Sequence, residues 1–525
     1  MSNSKSRLIS LFDVLGPVMT GPSSSHTAGV LRIGRMGRQL LAGDPDSIEL
    51  RFYGALASTF KGHFSDSAVV GGLIGMKEDS PDIGDSLSVA NARGIAVTCV
   101  AAPESSQNPN TIDMRLKKGK ENFKIVGISV GGGEILMTEL DDFPLHLYGN
   151  EDLLLLTADR VLTDELKTLF ADKFLSLDTE KKNGRVLHAC FLKNAPNPEM
   201  KAKAELLPGV ERVYSISSIY DYKLADSKPL FGSFAELLGL CNELKKSIPD
   251  MAVAFEARRS NLSRDAIAAR ISRIWNVMVN STEVGLTGEN RLVGGLIPGD
   301  NGARLMQCVL EGKNVSGPIV GTALARALAA METNGCMGCV AAAPTAGACG
   351  VLPGCLLTLA ENLKSKPEEI NEALLAGAIV GVLIAMQAPV SGALGGCQSE
   401  IGVASAMAAA SMTHLAGGSP SQTIHAAALA LKNILGLICD PVAGPVEIPC
   451  IKRNGIGVGN AFAAADMALA GIESAIPPDE VVEALVNVQA LLPRELKGTM
   501  TGGLASTPTA KRLKEKWESI LANRR

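Results

Sequence analysis

The spacing of apolar positions divides the chain into three parts. Up to about residue 145, alternating runs predict strands among helices. From residue 145 to 222, compact strand and helix units follow one another, and from residue 234 to the end helical periodicity dominates. The pattern predicts a multidomain α+β protein. Its parts are an N-terminal α/β domain at residues 1–145, a β-α-β-β-α-β domain at residues 146–225 and a mostly α-helical domain at residues 226–525.

Two stretches of the first part predict its sheet. Residues 47–52 alternate polar and apolar side chains, as a half-buried strand does, and the polar residues 58–66 after them predict a loop that carries His63. Residues 123–135 predict two strands joined by the turn Gly131-Gly132-Gly133. A phosphate-binding loop is disfavoured there because no nucleotide-binding motif follows the glycines.

The second part has the element order of a small regulatory fold. Strands are predicted at residues 152–157, 174–177, 185–192 and 210–219, and helices at residues 164–172 and 198–207. This order resembles an ACT domain, a fold that pairs with a second copy and can bind an amino acid. The first loop, residues 158–163, lacks the glycine that would let a ligand approach the backbone. The resemblance therefore implies a dimerisation module in a homodimer.

Residues 373–390 are uncharged and almost wholly apolar, which is long enough for a membrane span. The stretch is rich in Ala and Gly, lacks basic flanks and aromatic anchors, and ends in Gln387-Ala388-Pro389. We therefore predict a central helix that is buried on all sides, and no membrane association.

Charge and cysteine content narrow the class of protein. The net charge of -4 provides no basic surface for nucleic acid, so a small-molecule substrate is favoured. The chain has 11 cysteines and a polar start, Met1-Ser2-Asn3-Ser4-Lys5, with no signal peptide. These features predict thiols in a reducing cytoplasm rather than a disulfide framework.

Three cysteines stand beside glycine or proline. They lie in the runs Gly395-Gly396-Cys397-Gln398, Cys439-Asp440-Pro441 and Ile448-Pro449-Cys450. Each is expected where a helix stops and the backbone can wrap a ligand. Thiolates are soft ligands that suit zinc and iron-sulfur clusters, and a four-iron cluster held by three thiolates leaves one iron open to substrate. Cys336 and Cys339 form a single CxxC, where packed thiols are expected because no second pair follows.

Longer motifs surround these cysteines, and a further motif lies near the start of the chain. They are Gly21-Pro22-Ser23-Ser24-Ser25-His26-Thr27, Ala343-Pro344-Thr345-Ala346-Gly347-Ala348-Cys349-Gly350, Ser391-Gly392-Ala393 and Pro449-Cys450-Ile451-Lys452-Arg453-Asn454. Together with the cysteine runs, and in this order, they resemble bacterial iron-sulfur-dependent L-serine dehydratase. The resemblance covers nearly the whole chain.

The resemblance implies a [4Fe-4S] cluster held by Cys397, Cys439 and Cys450, the cysteines of the family's GCQ, CDP and IPC motifs. Cys349 is assigned to the wall of the pocket. Some single-chain relatives cap the open iron with a cysteine at the extreme C-terminus. No cysteine follows Cys450 here, so that mode of self-inhibition is expected to be absent.

The hydroxyl residues before the apolar run at residue 28 predict a helix start, where free N–H groups and the helix dipole favour an anion; an ordinary N-cap has the same pattern. The resemblance implies that a substrate carboxylate binds there. The implied contacts are Ser24, Ser25, His26 and Thr27, with Thr345 and Ser391 lining the site from the helical domain.

His63 is the leading candidate for proton transfer, because the family carries a histidine near the active site in the matching segment. Phe60 and Phe64 stand where the family pattern has glycine. His26 is the other residue assigned to catalysis, and His146, at the edge of the ACT-like unit, is a weaker candidate for the base, for which a structural role is favoured.

The implied reaction converts L-serine to pyruvate and ammonia through 2-aminoacrylate. The open iron would act as a Lewis acid on the β-hydroxyl while a base removes the Cα proton. Elimination from L-threonine or L-cysteine on the same scaffold is an alternative. A non-catalytic amino-acid sensor is an alternative of another class, which the intact cysteine set disfavours. Pyridoxal phosphate chemistry is disfavoured because no motif indicates a Schiff-base lysine.

Overall fold

The computed structural model describes residues 9–102, 108, 110–220 and 228–523. Two features discussed above, the polar start of the chain and the predicted domain boundary between residues 225 and 226, lie outside the described residues. The domain ranges therefore stay predictions. The fold class is confirmed: the described residues form sheets in the N-terminal half and a helical assembly in the C-terminal half.

The described residues contain twelve strands and twenty α-helices. The strands are β1 (Val18–Thr20), β2 (Ser47–Phe52), β3 (Ala96–Ala101), β4 (Thr111–Lys118), β5 (Glu121–Gly131), β6 (Glu134–Leu140), β7 (Phe143–Leu147), β8 (Leu153–Ala158), β9 (Phe174–Lys182), β10 (Arg185–Leu192), β11 (Val210–Ile216) and β12 (Cys339–Ala341).

The helices of the N-terminal half are short. They are α1 (Leu11–Val14), α2 (Val30–Leu41), α3 (Gly54–Thr59), α4 (Ser65–Leu73), α5 (Ser86–Ala92), α6 (Thr163–Leu169) and α7 (Pro198–Glu205). The helices of the C-terminal half are α8 (Phe234–Leu244), α9 (Ile248–Ser260), α10 (Arg264–Leu286), α11 (Asn301–Leu310), α12 (Gly317–Gly335), α13 (Val351–Leu363), α14 (Pro367–Ala385), α15 (Gly392–Gly395), α16 (Val403–Leu415), α17 (Pro420–Asn433), α18 (Cys450–Leu469), α19 (Pro478–Leu491) and α20 (Pro508–Asn523).

A six-stranded sheet in the order β3-β2-β4-β5-β6-β7 forms the N-terminal unit. Its strand β2 buries alternate residues, as predicted, and β5 and β6 form the predicted glycine-turned hairpin. Helices α2 and α4 cross at glycines. A Cβ on Gly72 would collide with the Leu31 carbonyl oxygen and lie 2.8 Å from the Arg35 nitrogen. Gly34 on α2 and Gly72 on α4 thus let the two backbones touch, which brings the residues before each helix close together.

The second sheet has the predicted β-α-β-β-α-β order of elements. Its four strands are all antiparallel, in the order β11-β8-β10-β9, with α6 and α7 as the two helices. Strand β8 is buried along its whole length because its two faces pack into different cores, with Leu153 and Leu155 on one side and Leu154 and Leu156 on the other. The ACT name itself stays a prediction, since topology alone does not assign it.

The helical half packs around α14. Thirteen consecutive residues of this helix, from Ala373 to Ala385, are buried, which confirms the predicted central helix. Gly381 accommodates the Met407 side chain of α16, since a Cβ there would lie 2.8 Å from its sulfur. Among the described residues, every helix is too short or too polar to span a bilayer.

The first described residues join the two halves. Helix α1 packs into the same apolar core as α14, and the buried Glu256 accepts hydrogen bonds from the Ser10 hydroxyl at 2.9 Å and the Leu11 N–H at 2.8 Å. Strand β1 then pairs antiparallel with β12, so that Val18 lies opposite Ala341. This pairing places the segment that begins at Gly21 against the helical half.

We predict that Gly72→Ala destabilises the protein by about 1–3 kcal/mol, because the added methyl group forces the backbones of α2 and α4 apart. The matched control is Gly239→Ala on α8, where the added Cβ would meet no atom within 4 Å. That substitution should be neutral or stabilising by up to about 1 kcal/mol, since alanine favours helix. Scanning calorimetry of both variants tests the prediction, and an equal effect of the two would contradict it.

Candidate active site

Cys397, Cys439 and Cys450 come together from three separate segments. Cys397 follows α15 and leads into a wide turn at Gln398–Gly402, Cys439 forms a single bridge with Lys497, and Cys450 is the first residue of α18. The expectation that each cysteine lies where a helix stops is therefore wrong for Cys450, which begins one. Its sulfur stands at a helix N-terminus, where the dipole favours an anionic ligand.

The thiols influence one another. The neighbouring Cys397 thiol and then burial raise the pKa of Cys439 well above its usual range. Burial, followed by the charges of Cys397 and Glu400, also raises the pKa of Cys450. Without a cation, these thiols hold their protons, and a metal that binds them must displace those protons.

Hydrogen bonds hold each cysteine segment in place. The Gln398 side chain donates to the Gly395 carbonyl at 2.9 Å and accepts from the Gly436 N–H at 2.8 Å, which joins the first two segments. Cys439 donates its N–H to Leu496 at 2.9 Å, so the chain after α19 supports it. Asn454, one turn into α18, donates to the Gly347 carbonyl at 3.0 Å.

Arg453 provides a positive charge beside the thiols. Its Nη1 lies 3.4 Å from Cys397 Sγ and its Nη2 lies 2.7 Å from Asp440 Oδ1. The guanidinium thus joins the Cys397 segment to the Cys439 segment through Asp440. The sequence analysis quoted Arg453 within a motif and assigned it no role.

Glu400 is a second residue that the sequence analysis missed. It lies beside Gly347 and Gly392: a Cβ on Gly392 would be 2.7 Å from Glu400 Oε2 and 3.3 Å from Cys439 Sγ. Burial raises the pKa of its carboxyl, while the Thr345 hydroxyl and the Gly392 N–H lower it. The sequence did contain a signal that could have identified Glu400: it is the only Asp, Glu, Lys or Arg between Glu372 and Lys432.

His26 and His63 form a buried pair, with their Nδ1 atoms 2.6 Å apart. The other ring nitrogen of His26, Nε2, lies 3.1 Å from Asn110 Oδ1. Asn110 uses its amide nitrogen to donate to the Ser129 carbonyl, so its oxygen must accept from His26. Asn110 was not predicted, since an isolated asparagine in a loop has no sequence signature.

These contacts decide the tautomers of the pair. A neutral His26 that donates from Nε2 accepts at Nδ1, so the Nδ1–H of His63 is the donor between the rings. A neutral His63 then has an unprotonated Nε2, to which no described residue is hydrogen-bonded. That nitrogen is a base with a free lone pair.

Burial lowers the pKa of both histidines. The pKa of His26 falls to about 4, and that of His63 falls well below its usual range, first through burial and then through the neighbouring His26. Both rings are therefore neutral near pH 7.

The predicted polar loop at residues 58–66 is shorter and more buried than expected. Residues up to Thr59 belong to α3, and α4 begins at Ser65. Phe60 stacks on Phe52 with ring centroids 4.7 Å apart, while Phe64 adopts the left-handed conformation, at φ 53°. At the two positions where the resemblance predicts glycine, Phe60 therefore packs in the core and Phe64 adopts a left-handed backbone. The two residues flank His63 in the sequence.

The predicted helix start at Ser24 is a wide turn, Ser24–Gly29, that runs directly into α2. Ser23 caps it, since its hydroxyl accepts from the His26 N–H at 3.0 Å. The Thr27 hydroxyl donates to the His63 carbonyl at 2.8 Å, and the Ser25 carbonyl accepts from the Ser129 hydroxyl at 2.7 Å. The turn is therefore fixed against both the His63 segment and strand β5.

The turn docks on the helical half at Thr345–Gly347. The Ala346 N–H donates to the Ser24 hydroxyl at 3.4 Å, and the buried Asn334 side chain donates to both the Pro22 and the Ala346 carbonyls, at 3.0 and 3.2 Å. Thr345 is fully buried, and its Oγ1 has no hydrogen-bond partner of good geometry among the described residues.

Two further contacts surround this docking point. A Cβ on Gly131 would lie 3.1 Å from Ser391, which brings the predicted Ser391 to the sheet of the N-terminal half. A Cβ on Gly62, next to His63, would lie 2.9 Å from the Gly444 backbone, between Cys439 and Cys450 in sequence. The predicted serine, histidine and cysteine residues therefore lie along one interface.

Other residues considered in the sequence lie elsewhere. His146 is exposed beside Tyr148, with its Nε2 3.1 Å from the phenol oxygen. Cys336 contacts Asn290 and the Thr333 carbonyl, as a packed thiol does. Cys349 is buried with its sulfur 3.5 Å from Met331 Sδ. Within the described ranges, no group of three or more His, Cys, Asp or Glu side chains is arranged to hold a single metal ion.

Comparison with known proteins matches both halves of the chain. Residues 10–95 match the family model described as serine dehydratase beta chain, and residues 242–505 match serine dehydratase alpha chain. The chain is similar to the L-serine dehydratase alpha chain of Peptoniphilus asaccharolyticus, with 37% identity over 279 residues, which are 53% of this chain and 95% of that protein.

Longer relatives match from end to end. L-serine dehydratase 2 of Escherichia coli (strain K12) is 30% identical over 510 residues, 95% of this chain and 98% of that protein. L-serine dehydratase of Helicobacter pylori (strain ATCC 700392 / 26695) is 30% identical over 504 residues, 93% and 96% of the two chains. The chain therefore belongs to the serine dehydratase family, and it carries the parts that match the beta-chain and alpha-chain models on one polypeptide.

Proposed function

We propose that this protein is an L-serine ammonia-lyase that converts L-serine to pyruvate and ammonia. The observation that carries the proposal is the interface between the halves, where the Ser24 turn and the His26–His63 pair meet the segments of the three cysteines. A thiol set and a base with a free lone pair at one buried interface suit an elimination that needs both a Lewis acid and a base. The relatives' names support the same reaction.

The residues fit a [4Fe-4S] cluster as the cofactor. Three thiols from three segments face one another, Arg453 lies beside one of them, and Gly392 leaves open the space next to Cys439. Thiolates are soft ligands that suit an iron-sulfur cluster, in which each of the three would bind a different iron. We propose Cys397, Cys439 and Cys450 as its ligands; when bound, its fourth iron would supply Lewis acidity toward the β-hydroxyl.

His63 would act as the base. Its Nε2 takes the proton from Cα, the Cα–H electron pair forms the Cα–Cβ double bond, and the β-hydroxyl leaves with the electrons of the C–O bond. The proton on Nε2 is then available to the departing hydroxide, so the net loss is one water. The product, 2-aminoacrylate, tautomerises and is hydrolysed to pyruvate and ammonia. His26 and Asn110 are positioning residues, because they fix the tautomer of His63.

The Ser24 turn would hold the substrate carboxylate. The N–H groups of Ser24 and Ser25 precede the first bonded N–H of the turn, and both serine hydroxyls are buried at the interface. His26 and Thr27, which the sequence analysis included among the carboxylate contacts, have their polar atoms occupied by His63 and Asn110. We propose that they orient the turn and the base, while Thr345 and Ser391 line the site.

Two alternatives to the proposed function remain to be tested. L-threonine and L-cysteine share the α-amino acid end of L-serine, so turnover of the three substrates is to be compared directly. A non-catalytic amino-acid sensor is disfavoured, because such a protein would not require an unpaired histidine nitrogen at the same interface as three thiols. We further propose a cytoplasmic homodimer, on the basis of the thiol content and the β-α-β-β-α-β unit.

We predict that Cys397→Ala abolishes both the cluster and pyruvate formation. The protein is purified and reconstituted with iron and sulfide without oxygen, its visible and spin-resonance spectra are recorded, and pyruvate from L-serine is assayed. The matched control is Cys190→Ala, a buried thiol on strand β10, which packs in the core of the second sheet. The control should keep the spectrum and most of the activity; loss of the cluster in the control would contradict the ligand assignment.

We predict that His63→Gln lowers kcat by about 10²–10⁴-fold while the cluster spectrum is unchanged, since the variant lacks the base but none of the ligands. His146→Gln is the control, because His146 is exposed and contacts Tyr148. It should leave kcat unchanged. A His63→Gln variant with normal kcat would assign the base to another residue.

We predict that kcat/KM for L-serine stays level from pH 8 down to about 6.5, the ordinary pKa of histidine, and falls only below it. The base must be neutral, and burial lowers the pKa of His63 and brings that of His26 to about 4, so the neutral pair persists to lower pH. The profile is measured over the range in which the cluster spectrum is constant. Half-loss of activity at or above pH 6.5 would show that the base is a histidine with an ordinary pKa.

A further inference from the structure

The proposed reaction leaves one group of the substrate without a partner. The Ser24 turn accounts for the carboxylate, His63 for the Cα proton and the cofactor for the β-hydroxyl. The α-ammonium carries a full positive charge, and burying it requires a negative partner. Such a partner must lie within a few ångströms of the carboxylate site, because both groups are attached to the same carbon.

We infer that Glu400 binds the α-ammonium group of the amino acid substrate; the inference rests on the proposed function. Its carboxylate lies beside Gly347, since a Cβ there would be 3.3 Å from Oε2. Gly347 follows Ala346, whose N–H donates to Ser24. On its other side, Glu400 borders Gly392 and Cys439. The carboxylate therefore lies between the Ser24 turn and the cysteines.

Glu400 is partly buried and differs from the three fully buried glutamates of the helical half. Glu447 accepts from the N–H groups of Gly294, Leu296 and Ile297, at 2.6, 2.9 and 3.3 Å. Glu332 accepts from Asn301 and Gly302, and Glu256 from Ser10 and Leu11. These three carboxylates anchor backbone segments, so their role is structural.

Glu400 has no comparable set of donors. Among the described residues, only the Thr345 hydroxyl and the Gly392 N–H lie near its carboxylate as donors. It forms no ion pair within the part of the chain that the structure describes. The Thr345 Oγ1 beside it is buried and also lacks a partner of good geometry among the described residues. An ammonium, with three donors, would satisfy both groups.

Two glycines let the Glu400 carboxylate lie against the backbone. A Cβ on Gly392 would lie 2.7 Å from Glu400 Oε2, and one on Gly347 would lie 3.3 Å from the same atom. Both glycines have backbone angles that other residues adopt readily, so their small size, rather than backbone freedom, accounts for them. The two glycines thus allow the carboxylate to lie next to both the Thr345–Gly347 turn and the segment before Cys397.

The test compares two ligands that differ only in the group on Cα. L-serine carries an ammonium there, and L-glycerate carries a hydroxyl. Binding to the reconstituted protein is measured by anaerobic calorimetry and by the change in the cluster's spin-resonance signal. Both titrations use the His63→Gln background, in which L-serine is not consumed. Glu400→Gln should weaken L-serine binding by about 10–100-fold, as expected for loss of a charge-assisted hydrogen bond, and should leave L-glycerate binding unchanged.

Two further variants separate recognition from folding. Glu400→Asp keeps the charge and should retain a preference for L-serine over L-glycerate. Glu361→Gln makes the same chemical change at an exposed ion pair with Arg326 and should alter neither affinity. If Glu400→Gln does not fold, as judged by circular dichroism, the aspartate variant decides: loss of its preference for L-serine overturns the inference.

The outcomes distinguish this inference from the proposed function. Pyruvate release by the wild-type protein is assayed in parallel. Equal weakening of both ligands by Glu400→Gln, or unchanged L-serine affinity, overturns the ammonium role even if pyruvate is formed. Selective loss of L-serine affinity supports that role even if the wild type forms no pyruvate. A wild type that neither binds L-serine nor forms pyruvate overturns both.

Discussion

The site depends on the docking of the Ser24 turn against the Thr345–Gly347 turn. Neither half of the chain completes the site without this contact, since one half supplies the buried histidine pair and the other supplies the three cysteines. The contact is made by buried hydrogen bonds, with the Asn334 amide joining the Pro22 and Ala346 carbonyls. Buried polar groups that lose their partners are costly, so the two turns have one favourable arrangement. The pairing of β1 with β12 brings them into register before they meet.

Burial shifts four titratable groups at this interface toward their neutral forms. It lowers the pKa values of His26 and His63 and raises those of Cys450 and Glu400. Arg453 is a fixed positive charge in these surroundings. In the proposed function the remaining charge enters with the ligands: the cluster for the thiols and the substrate ammonium for the carboxylate. A site of this kind binds its ligands through desolvated charges, which makes it selective for ligands that carry them.

Small residues make this arrangement possible. Gly72 lets α2 and α4 touch, which sets the distance between the Ser24 turn and the His63 segment. Gly392 and Gly347 let the Glu400 carboxylate lie against the backbone, and Gly62 lets the His63 segment approach the chain between Cys439 and Cys450. At the one place where bulky residues replace the family's glycines, Phe60 fills the core against Phe52, and Phe64 adopts the left-handed conformation that glycine would favour.

The sequence by itself determined the fold class, most strands and helices, the buried helix α14 and the motifs around the three cysteines. Periodicity and turn residues act over a few neighbours, so these features can be read locally. Only the tertiary structure decided which nitrogen of His63 is free, that Asn110 and Arg453 act on the site, and where Glu400 lies. These depend on contacts between segments far apart in the chain, such as His26 with Asn110 or Glu400 with Gly347. The same reason explains why Cys450 was expected after a helix and instead begins one: the glycines and prolines indicate a break in the helix, but not on which side of it the cysteine lies.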